Sequence, residues 1–258
     1  MKKIAGLLIL LSISTVNYSQ MSERKDNQYL LSARPSAISI RGEDTALIVV
    51  DMQNDFCTNG GMLQRIGIDI LMIQNIIPNV KEAINAARVA GIKIIYLKMG
   101  YKEDLSDLGS EQSPNRDRHL RVNVGVKIKT PDGRNGQILI RDTWNTDIVS
   151  ELKPQDEDVI IYKTRYSGFY KTDLDSVLKQ NQIKNIIFTG CTTSVCVEST
   201  VRDAMFRDYS SIVLEDCTAE PIGYDFERTN HVASLLTMEL QFGWISNSAL
   251  FKTALEKK

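Results

Sequence analysis

Histidine is scarce in this chain: among 258 residues there are two, His119 and His231, and neither stands behind a strand-like run. The scarcity weighs against a papain-type cysteine–histidine pair. It also weighs against a catalytic metal, because no His cluster or His-x-x-Glu spacing supplies nitrogen ligands. Neither a metal nor a cofactor is therefore expected. Cysteine is sparse as well. Cys57, Cys191, Cys196 and Cys217 form no C-x-x-C pair, and four thiols in a chain this long are no disulfide scaffold. A Cys57–Cys217 bridge stays open, with four reduced thiols as the favoured state. There is no excess of basic charge, 31 Lys and Arg standing against 32 Asp and Glu, so nothing provides the field that holds nucleic-acid phosphates. No Gly-x-Gly-x-x-Gly or P-loop pattern follows any strand-like run. The expected partner is a small molecule.

Long apolar runs are also missing. Lys2-Lys3 precede an apolar stretch from Ile4 to about Val16, followed by Asn17-Tyr18-Ser19-Gln20. That is the layout of a signal peptide over residues 1–19, too short to span a bilayer comfortably. The expectation is an exported, periplasmic protein with no membrane span in its mature form; a start at Met21 would instead give a cytoplasmic one. Residues 20–44 are polar, with Pro35 among them, and read as a flexible arm. Residues 45–258, in a chain with 43% hydrophobic content, suffice for one domain with a large core.

What is present is an alternation of strands and helices. Thr45 to Val50 is an apolar, β-branched run of the kind buried in parallel sheets. A helix is predicted from about Ile76 to Ala90 and a strand from Ile92 to Leu97. After them come strand 158–162, helix 172–180, strand 185–189, helix 194–208, strand 211–214, helix 225–240 and a short strand at 243–246. The pattern predicts a three-layer α/β/α fold around a mostly parallel sheet of roughly six strands, with ligands at the carboxyl ends of the strands. Residues 98–157 interrupt it. Within them Val126–Lys129 and Gln137–Ile140 flank Pro131-Asp132-Gly133 and Asn135-Gly136, the signature of a β-hairpin. Insertions of this length usually cover a site or contact a partner.

Three strand ends carry reactive groups: Asp51 after the first strand, Lys163 after Val159 to Tyr162, and Cys196 just beyond Thr189-Gly190. In an open parallel sheet these ends converge on one crevice. Cys196 falls in the first turn of a predicted helix, whose free N–H groups and partial positive charge favour a thiolate. A carboxylate to take the thiol proton, an ammonium to balance charge and a thiol nucleophile form a catalytic set. Tyr166 and Phe169 are candidates to line a pocket, and Arg165 or Arg118 to meet a substrate carboxylate.

Asp51-Met52-Gln53-Asn54-Asp55-Phe56, Lys163-Thr164-Arg165-Tyr166-Ser167-Gly168-Phe169 and Gly190-Cys191-Thr192-Thr193-Ser194-Val195-Cys196-Val197 together resemble the isochorismatase-like cysteine hydrolases. The resemblance runs over nearly all of residues 45 to 246. The segment from Lys163 through Glu198-Ser199-Thr200 to Glu215-Asp216, with Ser113-Pro114-Asn115 and Phe242-Gly243-Trp244, is most similar to the ureidoacrylate amidohydrolases of pyrimidine breakdown. It implies Asp51 as proton acceptor, Lys163 as its charge-stabilising partner and Cys196 as nucleophile, acting on an amide or ureido carbon through a thioester-type acyl-enzyme. It also implies an oxyanion hole from the backbone N–H groups of Thr192 and Cys196, a cis Cys191–Thr192 bond, substrate contacts from Tyr101, Asn115, Tyr166 and Phe169, and a homo-oligomer. Met99 stands where that subgroup is expected to have an amide side chain, and Tyr101 where it has tryptophan. No Asp-x-His pair follows Leu97, against a nicotinamidase, and Cys196 argues against a true isochorismatase. Biuret, carbamoyl amino acids and nicotinamide are the alternative substrates, and a non-catalytic exported binding protein is the alternative of another class.

Overall fold

The computed structural model describes residues 28–256. The expected signal peptide and the alternative start at Met21 fall outside them. The arm does not stay irregular where it is described. Gln28–Leu31 (β1) pairs antiparallel with Ile38–Arg41 (β2), setting Tyr29 opposite Ile40 and Leu31 opposite Ile38. Alternation along β1 buries Tyr29 and Leu31 while leaving Gln28 and Leu30 exposed, the period-2 pattern of a half-covered strand. Arg34 ties the hairpin's turn to the sheet by exchanging two backbone hydrogen bonds with Ile245, and its guanidinium meets Glu215 and Glu239.

The central sheet is built from Thr45–Val50 (β3), Lys93–Met99 (β4), Val159–Lys163 (β7), Asn185–Cys191 (β8), Ser210–Ala219 (β9) and Trp244–Ser246 (β10), with Lys127–Lys129 (β5) and Asn135–Gln137 (β6) apart from it in the insertion. Its order is β10-β9-β8-β3-β4-β7, and every pairing is parallel. All six residues of β3 are buried, which explains their unbroken apolar run: a central strand covered on both faces has no solvent side to alternate toward. Two short helices follow β3, Asn54–Cys57 (α1) and Met62–Arg65 (α2). Leu71–Val89 (α3) and Ser248–Glu256 (α8) pack together on one face of the sheet. On the other face lie Leu174–Gln180 (α5), Glu198–Met205 (α6) and Asn230–Gln241 (α7). Between β4 and β5 the insertion adds Pro114–Arg121 (α4).

Several boundaries differ from the sequence expectation, each for a local reason. Helix α3 begins at Leu71, not at about Ile76, because Ile73 and Ile76 continue the buried stripe of Val80, Ala83, Ile84 and Ala87; burying that face outweighs the one hydrogen bond that Pro78 forgoes inside it. Helix α7 starts at Asn230, not 225, where the Thr229 hydroxyl accepts the Val232 N–H as an N-cap. In the hairpin the second strand is Asn135–Gln137, so Ile138, Leu139 and Ile140 lie beyond it and are buried beside the end of β4. Leu139 accepts the Tyr101 N–H there, and Tyr101 accepts that of Arg141. All four cysteines are free and buried, so no Cys57–Cys217 bridge forms.

Gly190, next to last in β8, has φ +108, and a Cβ there would fall 2.0 Å from the Val50 carbonyl oxygen. Only glycine lets β8 pass this close to β3 at the point where both strands deliver their reactive residues. Gly190→Ala is expected to lower the free energy of unfolding by about 3 kcal/mol in urea titrations followed by circular dichroism.

Candidate active site

Asp51 is the first residue past β3, and its φ of +53 lies in the left-handed region that a non-glycine residue enters at a cost. The turn is held from both sides. The Asp51 N–H donates to the Leu97 carbonyl (2.9 Å), and Asp51 Oδ1 accepts from the Met99 N–H (3.0 Å). Lys163 ends β7, the strand on the far side of β4, in register with Met99. Its side chain therefore crosses the end of β4 to reach Asp51. Nζ donates to Asp51 Oδ2 at 2.7 Å and to Cys196 Sγ at 3.3 Å. Asp51 and Lys163 are fully buried and Cys196 is 5% exposed, so the three groups share a nearly dry enclosure.

Cys196 stands in a π-helical turn, Thr193–Val197, that leads into α6. The preceding Cys191–Thr192 peptide bond is cis. The Thr192 carbonyl accepts the N–H groups of both Val195 and Val197, closing the turn. Behind it the Thr200 hydroxyl donates to the Cys196 carbonyl (2.7 Å) and accepts the Gly168 N–H (3.0 Å), which fixes the cysteine against the loop after β7. In front, buried Glu220 accepts from both the N–H and the hydroxyl of Ser194.

Sequence reasoning missed this bracing set. Gln53 is wholly buried, accepts the Met99 N–H (2.7 Å) and donates to the Met99 carbonyl (2.9 Å), so it clamps the strand end that Lys163 must pass. Asp55 accepts from the N–H groups of Met62 and Leu139 and from Asn145, tying α2 and the insertion together; burial pushes its carboxyl up to about 6. The available signal was polarity: both residues sit two and four positions past Asp51, inside an otherwise buried segment.

The charges differ from the expectation of a stabilised thiolate. Burial disfavours the ammonium of Lys163, but attraction to Asp51 and Cys196 prevails and raises its pKa. Burial likewise pushes the Asp51 carboxyl up, with Lys163 pulling it back. For Cys196 burial comes first and the negative charge of Asp51 second; together they push the thiol above its ordinary range against the pull of Lys163. The physical reason is that one ammonium already has one anion, and a second beside it in a low-dielectric enclosure is costly. The resting sulfur is therefore a thiol.

Cys196 opens onto a cavity of about 220 Å³. Of the residues expected to contact substrate, Tyr166 lines it and the other three do not. Tyr101 is wholly buried behind His119, its hydroxyl donating to the Thr164 carbonyl; Asn115 donates to the Leu108 carbonyl and to the Tyr101 hydroxyl. Phe169 stacks on Tyr209 beneath Arg207, away from the thiol. The two candidate arginines separate as well: Arg118 lines the cavity, whereas Arg165 stacks on Tyr170 and donates to the Thr164 carbonyl. His119, although it stands behind no strand, forms part of the cavity wall. Its Nδ1 lies 2.7 Å from the Asn115 carbonyl, which can only accept, so the proton is on Nδ1 and Nε2 is an acceptor; burial keeps the ring neutral. Among the described residues no three His, Cys, Asp or Glu side chains gather as metal ligands.

The family model described as an isochorismatase domain matches residues 45–249. Over 225 residues the chain is 43% identical to the ureidoacrylate amidohydrolase RutB of Serratia proteamaculans, covering 87% of this chain and 88% of the relative. It is 38% identical over 235 residues to the enzyme of that name from Rhizobium rhizogenes, covering 91% and 92%. Among solved structures, a cysteine hydrolase from Pseudomonas syringae pv. phaseolicola superimposes with a TM-score of 0.70 at 33% identity, covering 84% of this chain and 94% of that one.

The electrostatics make two linked predictions for alkylation of Cys196 by iodoacetamide, followed by mass spectrometry. Because only the thiolate reacts and its formation is pushed upward in pH, the rate should still be rising at pH 9, above the midpoint of about 8.5 for an ordinary cysteine. Asp51→Asn should make the thiol severalfold more reactive at pH 8, since it removes the charge that opposes ionisation and leaves the ammonium with sulfur as its anionic partner. A plateau below pH 7, or slower alkylation in the variant, would contradict this account.

Proposed function

The chain belongs to the isochorismatase family, and on that footing we propose that it is a cysteine-dependent amidohydrolase cleaving a non-peptide C–N bond of a small ureido or amide substrate. Ureidoacrylate, the compound for which its relatives are named, is the first candidate. The observation that carries the reading is Lys163 Nζ standing between Asp51 Oδ2 and Cys196 Sγ at the floor of a cavity.

In the first step Asp51 takes the thiol proton while sulfur attacks the carbonyl carbon. Deferring ionisation until attack suits a thiol that burial keeps neutral, because negative charge then passes from sulfur to the substrate oxygen as it forms. Lys163 stays protonated throughout and balances first the Asp51 carboxylate and then the negative charge that passes through sulfur to the substrate oxygen. The backbone N–H groups of Thr192 and Cys196 are assigned to the oxyanion, where each donor of this kind contributes about 3 kcal/mol. Collapse breaks the C–N bond, and the amine leaves with the proton from Asp51. A ureido substrate leaves a thiocarbamate on sulfur. Water then attacks that carbon, giving its proton to Asp51 and onward to the departing sulfur, and the thiol is restored with release of carbamate.

Export remains part of the proposal on the strength of residues 1–20 alone.

With ureidoacrylate and other ureido or amide substrates, ammonia release by wild type and its loss on the order of 10³-fold or more in Cys196→Ser are the expected results. Equal activity in both proteins would remove the thiol from the mechanism. Lys163→Met is expected to abolish turnover and to destabilise the fold by about 3–5 kcal/mol in urea, because it strands Asp51 as an uncompensated buried charge.

A further inference from the structure

The cavity above Cys196 has an unexpected lining for a compact polar substrate. Phe56, Met62, Leu63 and Ile66 form one wall from the α1–α2 segment, and Val122 and Leu139 close it from the insertion. Opposite the thiol, polar groups are few: His119 and Tyr166 in the wall, and Arg118 at the mouth. The Arg118 guanidinium is exposed and makes no hydrogen bond or salt bridge among the described residues. At about 220 Å³ the space lies below the ~300–1,000 Å³ of pockets for drug-sized ligands, so its occupant is metabolite-sized.

These features form three subsites around one centre. The thiol and the Thr192 backbone define where a carbonyl carbon must sit. The aliphatic wall accepts a hydrocarbon group, and a polar group placed there would lose water without gaining a partner. The free cation at the mouth accepts an anion. Ureidoacrylate has the anion and the ureido group but only a two-carbon planar link between them, and it leaves most of the wall uncovered. We infer that the preferred substrate is an N-carbamoyl amino acid whose side chain is a branched aliphatic or aromatic group, with its carboxylate toward Arg118 and its side chain against the Phe56–Ile66 wall. This rests on the amidohydrolase reading above. The chemistry balances in the same way: sulfur attacks the carbamoyl carbon, the C–N bond to the amino acid breaks, the amino acid leaves with the proton held by Asp51, and water releases carbamate from the thiocarbamate.

In a hydrophobic pocket each methylene changes kcat/KM by about tenfold or more. N-carbamoyl-leucine, with four side-chain carbons where N-carbamoyl-glycine has none, should therefore exceed both N-carbamoyl-glycine and ureidoacrylate in kcat/KM by at least about 100-fold, measured as amino-acid and ammonia release by the full chain. Half-buried Ile66 can be changed with little risk to the fold, and Ile66→Ser should shrink the leucine-to-glycine ratio by about tenfold. Arg118→Gln should raise KM for N-carbamoyl-leucine more than for N-carbamoyl-isobutylamine, which lacks the carboxylate. Binding to Cys196→Ser, read by calorimetry, separates selection from chemistry: at least tenfold tighter binding of N-carbamoyl-leucine than of N-carbamoyl-glycine supports the inference. If ureidoacrylate or N-carbamoyl-glycine is hydrolysed as well as the leucine compound, the inference falls and the amidohydrolase reading stands. If wild type hydrolyses none of them while Cys196→Ser still binds the leucine compound more tightly, the amidohydrolase reading falls, and the pocket's selectivity survives only as ligand binding. No turnover and no such binding preference would overturn both.

Discussion

A buried ammonium needs an anion within reach, and in this fold the Lys163–Asp51 contact supplies it. An isolated charge taken out of water costs several kcal/mol, and neither partner is stable there without the other. The pairing constrains everything around it. The ends of β3 and β7 must stand one strand apart, β4 must end low enough for a lysine to pass over Met99, and Asp51 must turn into the left-handed region to aim its carboxylate inward. The sulfur of Cys196 completes the cluster from β8, on the other side of β3.

Much of the surrounding polarity serves to hold that geometry. Gln53 clamps Met99 through both of its backbone groups, Thr200 holds the carbonyl of Cys196, and Glu220 holds Ser194 at the start of the π turn. Each of these side chains satisfies backbone groups left over where a strand or a helix ends, so bracing the site and satisfying the chain are one task. The same low dielectric that makes the ion pair obligatory keeps the sulfur protonated at rest. In the proposed mechanism Cys196 therefore gives up its proton to Asp51 only as it attacks, with no standing thiolate beforehand.

The insertion contributes more to the site than its length alone implies. It brings His119 and Arg118 on α4, Val122 just after it, and Leu139 beyond the hairpin, all to the rim and wall of one cavity. Asp55 fastens this excursion to the segment after β3 by accepting from Leu139 and Asn145. The sheet ends carry Asp51, Lys163 and the turn of Cys196, and the cavity above them is walled jointly by the α1–α2 segment and the insertion.

The parallel α/β architecture, the crevice at the strand ends and the convergence of Asp51, Lys163 and Cys196 were legible in the sequence, because buried parallel strands read as continuous apolar runs and a charged residue at the end of such a run stands out. The β1–β2 hairpin was less visible, since four-residue strands carry too little periodicity to outweigh polar neighbours. That His119 lines the cavity while Tyr101, Asn115 and Phe169 do not was not legible, because a loop residue's facing depends on how its segment lies over the sheet and not on its spacing. By itself the sequence determined which chemistry-bearing residues end which strands. Only the tertiary structure decided which side chains face the thiol and that the thiol rests protonated, because burial, and the company a charge keeps when buried, exist only once distant segments have packed.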